Sequence, residues 1–569
     1  MRILPLIAAL GLTAATAFPA GAEVAVASVS SSVGAQSDGD DSAGAYGDYL
    51  SARFAAEHHD LSEAAAFFRS SLDRDPKDPQ LLNLAFFYAV SAGQVDQATE
   101  LAGRVAAVSP ADRAARLTLA VAALKRRDYK AVRAQLATSA KEPFTITLID
   151  AWAKAGMGDG AGAETTLNGL HAQSGADALA YFNEAMLEEF LGRKDKADAF
   201  YNLALKAGGS SPRVIDAYGR FLERSGRLKD AQANYAKVPD DGSFAPIAKA
   251  GLARIALGQT PDPLIVHAED GAAEALFGTA ASLGDASSQD ISILYLRLTL
   301  YLQPNLDLAK LLLADRFEAL TKYENAIEVL RGIGRDSPYY HIAAVEIAVN
   351  QARSDKVDEA IANLNALTAI YPGDGETWTA LGDVYRQAKK YADAAKAYDR
   401  AIQAVGTPTK KDWPLYYVRA TAEQQSNNWT AAEADLKLAL KLTPDEPQTL
   451  NFLGYSWVDQ HRNIAQAVTM LEKASALAPD DGYIIDSVGW AYYRLGRYAD
   501  AVNTLERAVR IVPGDSTIND HLGDAYWKVG RKLDARFQWN HALAFGPEDA
   551  DKKKIEKKLQ AGLSGGDRS

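Results

Sequence analysis

The stretch DSVGWAYYRLGRYADAVNTLERAVRIVP, residues 486–513, carries apolar side chains at helical spacing in both halves, with Gly496 between them. That pattern predicts two amphipathic helices joined by a short turn. Moved on by 34 residues, it returns: Gly489, Tyr492, Gly496, Ala501, Ala508 and Pro513 become Gly523, Tyr526, Gly530, Ala535, Ala542 and Pro547. Followed backwards, the small position falls at Ala52, Phe86, Ala120, Ala151, Ala185, Gly219, Ala280, Ala314, Ala348, Gly382, Ala420 and Gly454. The closing proline recurs at Pro76, Pro110, Pro304, Pro338, Pro372, Pro444 and Pro479. Small residues belong where two helices cross, a glycine ends the first helix, and a proline stops the second. One hairpin cannot cover its own apolar face, so stacked copies are required. The expected fold is an all-α helix-turn-helix solenoid.

These six positions at these separations resemble the tetratricopeptide repeat (TPR), over roughly residues 46–548. The resemblance implies a superhelix whose first helices line a concave face. The pattern breaks once. Residues 238–277 hold one helix-like segment around Gly251 and then Pro261 and Pro263, through which no second repeat helix passes. The expected organisation is an N-terminal array over 48–240, a degenerate half-repeat or joint over 241–279, and a C-terminal array over 280–548. A basic amphipathic capping helix and tail complete it at 549–569.

Composition narrows the chemistry. With 48% hydrophobic and 24% charged residues the chain is globular, and its net charge of −12 argues against nucleic acid as a partner. It has no cysteine, which excludes thiolate catalysis, disulfides and cysteine metal sites. Arg2, the apolar run Ile3–Leu12 and Ala20-Gly21-Ala22 before Glu23 predict a signal peptide over 1–22, cleaved after Ala22. Without a cysteine at that site the mature chain is not lipidated. The expected localisation is periplasmic, with no membrane span. Residues 23–47, rich in Ser, Gly, Ala and Asp, read as a flexible leader.

No catalytic signature is present: no H-E-x-x-H, G-x-S-x-G, Walker-type loop or G-x-G-x-x-G. His58 and His59 fall at a turn, and His521 and His541 on different helices of one repeat, without the spacing of metal ligands. The sequence therefore predicts no enzyme, cofactor or metal. What the TPR resemblance implies instead is a protein-binding groove, at positions three before and one, four and five after the small residue. Those positions hold Asp383 and Arg386; Asn451, Tyr455 and Asp459; Asp486, Trp490, Tyr493 and Arg494; and Asp520, Asp524, Trp527 and Lys528. The Lys and Asn of the family's carboxylate clamp are replaced here by Asp486 and Asp520, so the lining favours basic or neutral extended segments.

The run NFLGYSWVDQ, with AVTMLEKASALAPDDGYIIDSVGWAYYRLGRYADAV after it, is similar to an exported TPR family of Gram-negative bacteria. Its members include lipoprotein adaptors of carboxyl-terminal processing proteases. The resemblance implies a non-catalytic scaffold or adaptor whose partners are other proteins or extended peptide segments, a periplasmic protease among them. A scaffold in envelope assembly or in polysaccharide synthesis or export fits the same sequence. A secreted enzyme with an atypical site inside the solenoid is the distant alternative.

Overall fold

The structure, a computed structural model, describes residues 41–139, 144–172, 177–208, 211–239, 244–285 and 288–563. The expected signal peptide and residues 23–40 of the expected leader lie outside these. The remainder of that leader is helical: α1 (Asp41–Glu57) starts inside it, which corrects the expectation of an unstructured segment up to 47. The helix is tied down from its second turn, where Asp48 accepts a hydrogen bond from Ser70 at 2.7 Å and pairs with Arg74.

The chain forms two compact units, one ending at Lys356 and the other beginning at Val357. In unit 1, α1 pairs with α2 (Leu61–Arg74), α3 (Pro79–Ser91) with α4 (Val95–Val108), and α5 (Arg113–Lys125) with α6 (Tyr129–Thr138). Then come α7 (Thr145–Gly156) with α8 (Gly160–Asn168), α9 (Asp177–Phe190) with α10 (Lys194–Gly208), and α11 (Pro212–Arg224) with α12 (Leu228–Tyr235). The single helices α13 (Ala245–Ala256), α14 (Ala268–Ser282) and α15 (Gln289–Leu302) follow, before α16 (Asp307–Ala319), α17 (Tyr323–Arg331) and α18 (Tyr340–Arg353). Unit 2 opens with α19 (Val357–Ile370) and the pairs α20 (Gly375–Gln387)/α21 (Tyr391–Val405) and α22 (Trp413–Gln425)/α23 (Trp429–Leu442). It continues with α24 (Pro447–Asp459)/α25 (Ile464–Leu477), α26 (Gly482–Arg494)/α27 (Tyr498–Ile511) and α28 (Ser516–Lys528)/α29 (Lys532–Ala544), and ends on α30 (Asp549–Ala561).

Each pair is built around one crossing. A Cβ added to Gly382 would stand 2.5 Å from the ring of Tyr398, and one on Gly523 2.5 Å from Trp539. Both rings are fully buried. The large residue lies sixteen positions after the small one, and the same register places Phe68, Leu167, Tyr201, Leu330 and Leu505 in buried positions. One repeat inverts the pair: Phe86 takes the small position and Ala102 the large one, and both are buried. Volume at the crossing is thereby kept, which a close-packed interior requires.

The turn also keeps register. Seven residues after the small position the backbone is left-handed, at Gly93, Gly158, Gly192, Gly226, Gly496 and Gly530. His59, Arg127, Thr321, Asp355, Lys389, Asn427 and His461 hold the same conformation with φ between 52° and 62°. The loop after α24 has one residue more than its neighbours, and Asn463 absorbs it with a second left-handed φ of 46°. Two residues after the closing prolines, Asp78, Asp112, Asp374, Asp481 and Asp515 accept backbone N–H groups of the next helix, as N-caps do.

The segment expected as a joint, 241–279, holds two helices rather than one. After α13, residues 257–267 around Pro261 and Pro263 are non-helical, so α13 has no second helix of its own. Its Gly251 packs on Tyr235, the ring that also seats on Gly219. The helix α14 then runs against α7 and α9, and α15 against α3 and α5. These are the first helices of their pairs, and α15 also touches α4, so the α14–α15 hairpin lies along the first-helix face of unit 1. Gly271 permits the approach, since a Cβ there would stand 2.3 Å from the fully buried Trp152. Around it Glu269 accepts from Arg127 (2.8 Å) and Tyr129 (3.1 Å), Glu274 pairs with buried Arg213, and Thr279 meets Thr145 at 3.2 Å. On α15, Arg297 donates to the Ser91 carbonyl at 3.1 Å and Tyr301 to Asp96 at 2.6 Å.

The inverted crossing gives a direct test. Phe86→Ala should cost about 3–5 kcal/mol, the usual range for an emptied aromatic site. Adding Ala102→Phe should recover more than half of that, although it is damaging alone. Urea unfolding of the four chains measures the coupling, and additive losses would show that the two positions do not share one crossing.

Candidate protein-binding groove

In unit 2 the first helices α20, α22, α24, α26 and α28 carry the positions the sequence assigns to a groove, with α22 touching α24 through Tyr417 and Phe452, α24 against α26, and α26 against α28. At the α20 end, Asp383 accepts the Tyr398 hydroxyl at 2.7 Å and approaches Arg386 at 3.4 Å. Both charges thus hold their own repeat together. On α24, Asn451 and Tyr455 are half-buried and Asp459 is exposed. The Asn451 carbonyl oxygen is buried without a hydrogen-bond partner. Burial pushes the Tyr455 hydroxyl up to about 12, with the Asp486 and Asp459 carboxylates adding to the effect. Arg494 reaches across from α26 to Asp459 at 3.5 Å and to His461 at 2.7 Å, so His461 is tied to the groove edge by the lengthened loop.

Farther along, two of the aromatic groove positions are not exposed. Trp490 and Tyr493 are each only 6% accessible. The Trp490 ring lies 4.7 Å from Tyr493 at 9° and 4.0 Å from His521 at 14°, a three-ring stack between repeats. His521 is fixed beneath it by Asp486, both of whose carboxylate oxygens lie 3.0 Å from Nδ1. These residues serve repeat-to-repeat packing, because the rings are large enough to span adjacent first helices.

The last repeat is covered by the chain's own end. Lys558 of α30 donates to Asp520 at 2.7 Å and to Asp524 at 2.8 Å, and Asp524 also accepts from Trp539 at 2.9 Å. Trp527 packs on Trp539 with ring centroids 5.4 Å apart, and Gly562 crosses so close to Trp527 that a Cβ there would stand 2.0 Å away. Lys528 is half-buried at the end of α28. Of the assigned positions, then, only Asn451, Tyr455, Asp459 and Arg494 come together on an uncovered part of the face. Two residues not assigned there extend it: Tyr417 and Phe452, half-buried, with rings 5.7 Å apart at 74°, Trp413 standing next to Tyr417 at 6.0 Å. Tyr417 lies three before Ala420, so the same offset rule finds it when applied to that repeat.

The buried charges under α30 have a pH signature. Burial alone would lower the His521 imidazole, but the Asp486 carboxylate outweighs it and the group is raised above 6.5. Its contribution to stability is complete below 6.5 and is lost as pH rises through the folded value. Burial raises the Asp524 carboxyl from 3.8 to about 6, against the opposing pull of Lys558, and its contribution likewise fades as pH rises through that value. Hydrogen exchange corrected for its intrinsic rate should show α28 and α30 losing protection between pH 5 and 8. The loss should be smaller in Asp524→Asn. Protection that rises with pH would refute the assignment.

Comparison with known proteins places this geometry. Models of the tetratricopeptide repeat match residues 178–207 and 345–407, and a TPR repeat model matches 489–530. A TPR repeat-containing protein of Pseudomonas aeruginosa is 35% identical over 105 residues, 18% of this chain and 18% of that one. The cytochrome c-type biogenesis protein CycH of Rhizobium meliloti is 33% identical over 129 residues, 22% of this chain and 33% of that one. The chain thus spans a third or less of these relatives. Among solved structures, the APC/C hetero-tetramer Cut9–Hcn1 aligns over 91% of this chain and 96% of its own at 15% identity and a TM-score of 0.38. With three stretches matched by repeat models, on helix pairs that hold one register of crossing, turn and cap, the chain carries tetratricopeptide repeats.

Proposed function

We propose that this chain is a non-catalytic periplasmic scaffold or adaptor. It holds extended protein segments on the concave face of unit 2 and presents them to, or assembles, a carboxyl-terminal processing protease. The observation that carries the binding reading is which concave surface is covered and which is not. The α14–α15 hairpin lies along the first-helix face of unit 1, and α30 with the Trp490 stack fills the end of unit 2. Elsewhere in unit 2, α22 and α24 keep Tyr417, Phe452 and Tyr455 half-buried, with Asp459 and Arg494 at the edge. Half-buried aromatics give a ligand contact area at little further entropic cost, and Tyr and Arg are enriched where binding energy concentrates. The periplasmic part of the reading rests on Arg2, the apolar run after it and Ala20-Gly21-Ala22. No described helix is long and apolar enough to cross a membrane.

Two measurements test the reading. Titrating the full chain with extended peptides of graded charge should select basic or neutral apolar sequences. Tyr417→Ala combined with Tyr455→Ala should weaken them at least tenfold at a temperature well below the double variant's own circular-dichroism melt, which the loss of two packed rings will lower. Equal binding by the double variant would move the ligand elsewhere. After expression in a Gram-negative host, the chain should leave with the osmotic-shock fraction and begin at Glu23; a chain retaining Met1 in the cytoplasm would end the periplasmic reading.

A further inference from the structure

The outer face of α29 departs from the second helices that precede it. Leu533, Phe537, His541 and Phe545 follow one another at four-residue intervals and form a single stripe. Leu533 is 84% exposed, Phe537 59% and Phe545 44%. At the matching register α27 carries Ala499, Asn503, Arg507 and Ile511, and α25 carries Ala465, Thr469, Lys473 and Leu477. The third position of α25 does structural work, since Lys473 reaches back to Asp445 and to the Pro444 carbonyl. The stripe on α29 gives up that contact, and its polar middle has become aromatic. The rings are already ordered: Phe537 lies 4.5 Å from His541, and His541 5.9 Å from Phe545. Helix α30 covers other sides of this repeat, where Arg536 donates to the Leu559 carbonyl at 2.6 Å and Lys558 holds Asp520 and Asp524.

We propose that this stripe is an isologous contact with a second copy of the chain, α29 packing antiparallel on its own equivalent about a two-fold axis. Two features choose that occupant. The stripe is self-complementary under such an axis: Leu533 falls opposite Phe545 of the second copy and Phe537 opposite its His541. The charges complement as well. Arg531 is already paired with Glu506 and Asp534, and Asp551 with Lys554, which leaves Lys532 at the start of α29 to meet Glu548 and Asp549 after its end in an antiparallel pair. A helix of thirteen residues is about 20 Å long. Its one face with the adjoining turns falls short of the roughly 800 Å² per partner of a standard interface, so the dimer is weak and concentration-dependent.

Sedimentation equilibrium of the full chain over about 1–200 µM should show a monomer–dimer equilibrium. Phe537→Glu with Leu533→Glu should stay monomeric throughout while keeping the wild-type melt, since both side chains are exposed. The orientation has its own test, because the chain contains no cysteine. A mixture of Phe537→Cys and His541→Cys chains should oxidise to the mixed disulfide dimer at least fivefold faster than either variant alone. The proposal is overturned by a wild-type monomer at every concentration, by a dimer that survives the two glutamates, or by preferential disulfide formation within either single variant. Binding to vesicles of anionic phospholipid without self-association would equally overturn it and assign the stripe to a membrane.

Discussion

Everything in this chain depends on how closely two helices can cross. The first helix of each pair offers a small residue, the second sets one large side chain upon it, and the pair closes only if the sum of the two fits. Tyr398 on Gly382 and Trp539 on Gly523 are one solution, and Phe86 with Ala102 is the mirror of it. The left-handed turn and the aspartate cap follow from that crossing, because each sets the chain on course for the next one. Where the pattern loses a helix, the same constraint shows in another form: Tyr235 serves Gly219 and Gly251 together, so the unpaired α13 still has a ring to rest on.

A repeat array leaves a concave face, and each unit here covers part of its own. In unit 1 the cover is α14–α15, sealed by a buried arginine–glutamate pair and by glycine contacts too close for a loosely resting lid. In unit 2 the cover is partial. Lys558 enters between two carboxylates, one of them fully buried, and leaving those charges without it would be costly. The uncovered remainder lies on α22 and α24, where aromatic rings are half-exposed and charges pair across neighbouring helices. Position along the array, more than residue type, decides which aromatic side chains can meet a ligand.

That distinction marks the limit of what the sequence yields. The register was legible from the 34-residue recurrence alone, because a helix pair permits few arrangements of small residue, turn and proline. The groove positions were read as a set of offsets, but offsets do not say what lies on top of them. Trp490 and Tyr493 satisfy the rule and are buried, since His521 of the next repeat completes their stack. Asp520 and Asp524 satisfy it and are taken by Lys558, thirty-eight and thirty-four residues away. The fate of α14 did leave a trace: AEDGAAEALFGTAAS spreads Ala and Gly around the whole helix, and an α-helix apolar on every side is a buried one. The prolines before it drew attention to the interruption and away from the helix that follows.

The hairpin in unit 1 also changes how that unit must come to be. Stacked repeats ordinarily form from neighbours, and each can order as soon as the next is in place. Here Arg297 bonds to Ser91 across 206 positions, and Lys125 to the Tyr301 carbonyl across 176. Contacts so distant in sequence slow folding, because the intervening chain must be gathered before they can form. The early repeats therefore stand with an open apolar trough until residue 302 has emerged. During synthesis this is the stretch most exposed to aggregation, and the one with most to gain from a chaperone.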